Sequence, residues 1–203
     1  MITSNIISLF PTAILGATLD REFTKDELKF FETIKNNTIT NTGNAHSTDT
    51  YILNNTELDS LKSFFESQVR AYQDTIVKPK ADTSIYITQS WLNYSNPGDY
   101  HHKHKHPNSY ISGVFYIDTT SDDRIFFDRD QFTQLEIGAV EYNPWNSHKW
   151  WLPATKYQLY LFPSCLTHYV EKNLGIQTRI SLSFNTFVSG ILGDQIGLTE
   201  IKI

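Results

Sequence analysis

Apolar positions fall at helical spacing up to about residue 80 and alternate at strand spacing beyond it. Thr24-Lys25-Asp26-Glu27 forms a capping box, in which the Thr24 hydroxyl caps a helix start and Glu27 reaches back. Leu28, Phe31 and Ile34 follow at helical spacing, and Asn36-Asn37 marks the end. A second helix is predicted from Thr56, with Leu58, Leu61, Phe65, Val69 and Tyr72 in one stripe. The polar stretch 38–55 between them reads as a loop or a weak strand. Short strands are predicted near 84–94, 109–118, 124–128, 136–142, 157–163, 167–172 and 178–188, parted by turns such as Asn96-Pro97-Gly98-Asp99 and Ser121-Asp122-Asp123. Residues 143–151 are rich in Trp and turn residues. They read as a loop, either a substrate platform or lid carrying Trp145, Trp150 and Trp151, or a packed cover over one end. The pattern predicts a mainly β sandwich or barrel with the helices packed on one outer face. Residues 1–203 would be a single domain, helical over about 1–80 and barrel over about 81–203.

Composition narrows the function classes. Hydrophobic residues at 39% and aromatics at 14% suit a folded protein rather than a disordered one. A net charge of −5 gives no nucleic-acid footprint, which is normally basic. Cys165 is the single cysteine, so no disulfide can form within the chain; it reads as a small packing residue. Met1 to Leu15 lacks a basic start and contains Pro11, which makes a poor signal peptide. There is no run of 18 apolar residues to span a membrane. The expected location is a cytoplasm, that of a bacterium or of an infected host cell.

Candidate chemistry concentrates in the histidines. His101, His102, His104 and His106 fall within six residues. On an extended strand His102, His104 and His106 would share one face, with His101 on the other, and Pro107 would end regular pairing. Imidazoles at i and i+2 can take adjacent positions on one metal ion. His168, which follows an apolar strand and a Pro163 turn, is the strong candidate for a third ligand. A short histidine run standing alone fits a solvated surface loop equally well. His46 and His148 read as surface or packing residues. No phosphate-binding glycine loop, Ser-His-Asp signature or paired-cysteine zinc site is present.

Several runs together resemble a 2-oxoglutarate/Fe(II) oxygenase family of bacteria and their viruses. They are Ser90-Trp91-Leu92-Asn93, His104-Lys105-His106-Pro107-Asn108-Ser109, Ser112-Gly113-Val114-Phe115-Tyr116, Leu161-Phe162-Pro163-Ser164 before His168, and Arg179-Ile180-Ser181-Leu182-Ser183-Phe184-Asn185. Leu9-Phe10-Pro11 and Ala45-His46-Ser47 extend the likeness weakly. The resemblance implies a double-stranded β-helix of jelly-roll or cupin type, with Fe(II), 2-oxoglutarate and oxygen as reactants. It implies His104 and His168 as ligands and Arg179 on the distal carboxylate of 2-oxoglutarate. Tyr116 and Asn93 join the implied cosubstrate pocket.

The residues themselves point the same way at Arg179. Arg179, Ser181 and Ser183 alternate with Ile180, Leu182 and Phe184, and an arginine on an inner face needs an anion. A dicarboxylate would satisfy its fork, and Ser181 on the same face can add a hydroxyl. The broad superfamily carries His-x-Asp or His-x-Glu, whereas His106 stands here. Three readings follow: His106 is the third ligand, a carboxylate such as Asp99 or Asp128 completes the set, or the site is inactive. The first is favoured, because His-x-His-Pro is the pattern of the narrower family. The alternatives in function are a cupin-type metal dioxygenase or isomerase without 2-oxoglutarate, and a non-catalytic metal- or sugar-binding barrel. The substrate is expected to be a peptide or small molecule, and a homodimer is the expected assembly.

Overall fold

A computed structural model describes residues 4–80, 82–130, 135 and 137–203. In chain order the elements are β1 (Leu15–Thr18), α1 (Lys25–Lys35), β2 (Thr38–Asn41), β3 (Asn44–Ser47), α2 (Asp59–Tyr72), β4 (Ser84–Ser95), β5 (His101–His104) and β6 (Ile111–Asp118). They continue with β7 (Arg124–Asp128), β8 (Lys149–Pro153), β9 (Gln158–Pro163), β10 (His168–Val170), β11 (Arg179–Ser189), β12 (Ile191–Leu192) and β13 (Ile201–Lys202).

Local chemistry explains the helices. Thr24 accepts a hydrogen bond from the Glu27 amide while the Glu27 carboxylate accepts one from the Thr24 amide, so the predicted capping box forms. Arg21 clamps the same buried carboxylate through both guanidinium nitrogens, at 2.6 and 2.8 Å. α2 is led in by a 3-10 turn at Thr56–Leu58 and buries Leu61, Phe65, Val69 and Tyr72.

Two antiparallel sheets carry the site. The larger runs β1-β9-β6-β11-β4-β3-β2 and the smaller β5-β10-β7-β8. Strand alternation gives the large sheet two different faces. Leu92, Tyr94, Phe115, Leu182 and Phe184 pack against Phe31, Leu61 and Phe65 of the helices. The opposite face contributes Val114, Tyr116, Tyr160 and Phe162, which pack with Ile125 and Phe127 of the small sheet. Cross-strand register sets a polar row on that inner side, with His46 opposite Asn93, Asn93 opposite Ser181, and Ser181 opposite Tyr116. No helix among the described residues is long and apolar enough to cross a membrane.

Four expectations change. Residues 135 and 137–142 form no strand, and residue 136 lies outside those described. β8 occupies Lys149–Pro153, where a loop was expected: turn chemistry ends at Ser147, and Trp150 and Trp151 then pair with Phe127 and Phe126. The N-terminal part is not only helical, since β1, β2 and β3 extend the large sheet. Cys165 is exposed rather than packed, because it sits on the turn between β9 and β10.

Candidate metal centre

β5 and β10 bring the histidines together. They pair antiparallel with His104 directly opposite His168. The next matched pair is His101 with Val170, so β5 carries one extra residue there, a β-bulge. The bulge overturns the expected division of faces. His101 turns inward and lines the same cavity as His104, with the two rings stacked at 4.6 Å. His106 lies just beyond β5, held where its backbone amide donates to the Ser164 carbonyl at 3.0 Å.

The ring centroids of His104 and His168 are 4.3 Å apart, those of His104 and His106 4.8 Å, and those of His106 and His168 5.1 Å. One ligand atom from each of the three lies within 4.8 Å of the others. Nδ1 of His104 faces the His102 carbonyl at 2.7 Å, and Nδ1 of His168 faces the Leu166 carbonyl at 2.9 Å. A carbonyl only accepts, so each Nδ1 carries the proton and each Nε2 keeps a free lone pair. Burial, and then repulsion from neighbouring imidazoles, pushes His106 down to about 4 and His168 to about 3. Burial likewise lowers His104 and, helped by the other histidines, holds His101 well below the ordinary imidazole value. The rings are therefore neutral near pH 7, the form a metal needs.

No carboxylate among the described residues joins this cluster. Asp99 accepts from the Asn96 amide in its turn, and Asp128 is tied to Lys103. Neither can complete the ligand set as placed.

Arg179, Ser181, Tyr116 and Asn93 line the same cavity as the histidines. Arg179 is buried as expected, but its guanidinium already has an anion. It pairs with the buried carboxylate of Asp123, whose other oxygen accepts from the Thr120 amide. The premise that an external anion must neutralise this arginine is thereby corrected; Asp123 had read only as a turn residue. Two polar atoms on the wall lack partners. The Tyr116 hydroxyl is fully buried with none, and so is Oδ1 of Asn93, whose Nδ2 donates to Ser183 at 3.0 Å. Burial raises the Tyr116 phenol, while the nearby Arg179 charge lowers it. Trp91, which the sequence reading gave no role, also lines the cavity, its ring 5.9 Å from that of His106. Its place follows from its position in β4, two residues before Asn93 on the same face. His46 sits in the polar row of the large sheet, its Nδ1 facing the Ser47 carbonyl, and His148 is exposed.

Residues 89–185 match the family described as "Putative 2OG-Fe(II) oxygenase". No curated protein matches in sequence. Among solved structures the chain is similar to SnoN, the non-heme alpha ketoglutarate dependent epimerase from nogalamycin biosynthesis, with a TM-score of 0.60 and 8% identity over 88% of this chain and 81% of that one. It is similar to HygX from Streptomyces hygroscopicus, with nickel and 2-oxoglutarate bound, at a TM-score of 0.59 and 8% identity over 87% and 83%. A Pseudomonas putida prolyl-4-hydroxylase gives a TM-score of 0.54 and 11% identity over 86% and 92%. Likeness at these identities establishes the fold, a double-stranded β-helix. The matched stretch contains the three converging histidines and Arg179, and over residues 89–185 the chain is similar to the 2OG-Fe(II) oxygenase family.

Proposed function

We propose that the chain is an Fe(II)- and 2-oxoglutarate-dependent oxygenase that hydroxylates a substrate and releases succinate and carbon dioxide, with residues 1–203 working as one domain. The observation that carries this reading is the convergence of three neutral imidazoles, His104, His106 and His168. They suit a mid-series transition ion, and their Nδ1 protons, held by backbone carbonyls on two of the three, leave lone pairs for it. A set without a carboxylate leaves the ion one positive charge greater than in a two-His, one-carboxylate site, which favours an anionic cosubstrate.

The cavity wall fits 2-oxoglutarate by its own chemistry. The unpartnered Tyr116 hydroxyl is a donor awaiting an acceptor, next to a guanidinium with donors to spare beyond its contact with Asp123. Arg179 binds the distal carboxylate, Tyr116 and Ser181 add hydroxyl donors, and Asn93 closes the pocket beside Ser181. Asp123 holds the guanidinium in orientation. Val114, Ile125 and Phe162 keep water from the site. Iron with 2-oxoglutarate, when bound, supplies oxygen activation and the oxidation of a substrate C–H bond. HygX, of similar fold, was solved with nickel and 2-oxoglutarate bound, which supports this assignment.

The test is turnover in air with Fe(II) and 2-oxoglutarate, with succinate quantified by mass spectrometry. Succinate from the wild-type chain and none from His168→Ala is the expected outcome. Bound iron with no succinate, alone or with pooled metabolites and peptides, would sink the 2-oxoglutarate assignment.

A further inference from the structure

The metal cavity shares part of its wall with a second space. Its wall passes through His101, Tyr169 and Val170, and the same three residues line a second, open groove on the outside of β5 and β10. That groove encloses about 590 Å³, within the usual range for a small-molecule site. Tyr100, at 40% exposure, and Leu174, at 86%, add apolar surface to its wall beside His102, Lys103, Glu171 and Lys172. A concave, mostly apolar surface beside a polar cavity is the usual form of a small-molecule site.

We propose that this groove is the substrate site of the oxygenase, and that it takes a flat, apolar body such as an aromatic ring system. The proposal rests on the oxygenase reading and adds the substrate class to it. The two spaces on either side of these shared residues differ in chemistry. At the inner end Arg179, Ser181, Tyr116 and Asn93 offer charge and hydrogen bonds, which suits the dicarboxylate. At the outer end Lys103 is engaged by Asp128 and Glu171 by Lys149 at 3.9 Å, which leaves Lys172 as the charge of the rim outside these pairs. Nδ1 of His102 faces the Thr42 carbonyl. A sugar or a peptide backbone laid against Tyr100, Val170 and Leu174 would lose hydrogen bonds to water and regain few. An aromatic body loses none and gains burial and ring contacts. Because His101 borders both spaces and stacks on His104, a ligand in the groove lies against the metal end of the cavity.

The experiment uses Mn(II) as the metal and 2-naphthol as the probe. Paramagnetic Mn(II) broadens the proton resonances of a ligand only when that ligand binds close to the ion. Mn(II) occupancy is read separately from bulk-water relaxation. The expected result is broadening of 2-naphthol with Mn(II), absent with Zn(II) and absent in His168→Ala. Leu174→Asp, at a site exposed enough to leave folding intact, should keep Mn(II) and weaken probe binding about tenfold. Methyl glucoside and N-acetylalanine amide should show no broadening. If Mn(II) binds and 2-naphthol stays sharp, or if the sugar or amide broadens in its place, the groove assignment is overturned while the metal centre stands. If Mn(II) does not bind, the metal reading falls and the groove's role falls with it.

Discussion

The Tyr116 hydroxyl is the most informative single atom in the site. It is buried without a partner, which costs a folded protein about 1–3 kcal/mol. Tyr116→Phe should therefore raise the melting temperature of the ligand-free protein by a few degrees, on the order expected for about 1 kcal/mol. The same change should weaken 2-oxoglutarate binding, read as a smaller thermal shift on adding it. A variant less stable than wild type without ligand would show that the hydroxyl already has a partner. Asp123 gives the converse case. Asp123→Ala strands the Arg179 charge in a buried site and should cost about 3–5 kcal/mol in urea unfolding. Added 2-oxoglutarate should recover more stability in this variant than in wild type. The need of Arg179 for an anion was legible from the alternation of β11, but its partner was not, because Asp123 lies 56 residues away on a turn. The histidines make acid a stress on the metal-free protein. His106 and His168 titrate below their unfolded value of 6.5, so between 6.5 and about 3 the unfolded chain binds more protons than the folded one. Stability is thus intact above 6.5 and falls as pH drops toward 4 and then 3. A melting temperature flat from pH 7 to 4 would contradict the neutral, buried assignment.

At the scale of elements, legibility follows how local the causes are. Thr24 and Glu27 fix the start of α1 between themselves, and β11 declares its two faces by strict alternation. The bulge in β5 is different. Only pairing with β10 creates it, so the four-histidine run alone put His101 on the wrong face. β2 and β3 are polar and short, and they become strands by adding to β4 rather than by their own propensity. Close approach also sets one residue choice in β6. A side chain at Gly113 would place its Cβ 2.3 Å from the Phe184 ring, which is fully buried. Gly113→Ala should lower stability by about 1–3 kcal/mol in denaturant unfolding. An unchanged midpoint would show that the ring can yield.

For the whole molecule, the fold separates three jobs. Helices cover one face of the large sheet and pack against its apolar side chains. The other face pairs its polar row with the small sheet. The histidines sit where β5 and β10 of the small sheet close over that row, which gathers the imidazoles, Arg179 and the Tyr116 hydroxyl around one cavity. The spacing of the histidines and the arginine carried much of this in the sequence, whereas the groove through His101, Tyr169 and Val170 exists only in the assembled barrel. The central claim is that His104, His106 and His168 hold an iron that 2-oxoglutarate then chelates. The most direct measurement is the visible absorption of the protein with Fe(II) in the absence of oxygen, before and after 2-oxoglutarate is added. A broad charge-transfer band that appears with 2-oxoglutarate, vanishes in His168→Ala and needs more 2-oxoglutarate in Arg179→Ala is the predicted result. Bound iron with no band at any 2-oxoglutarate concentration would contradict it.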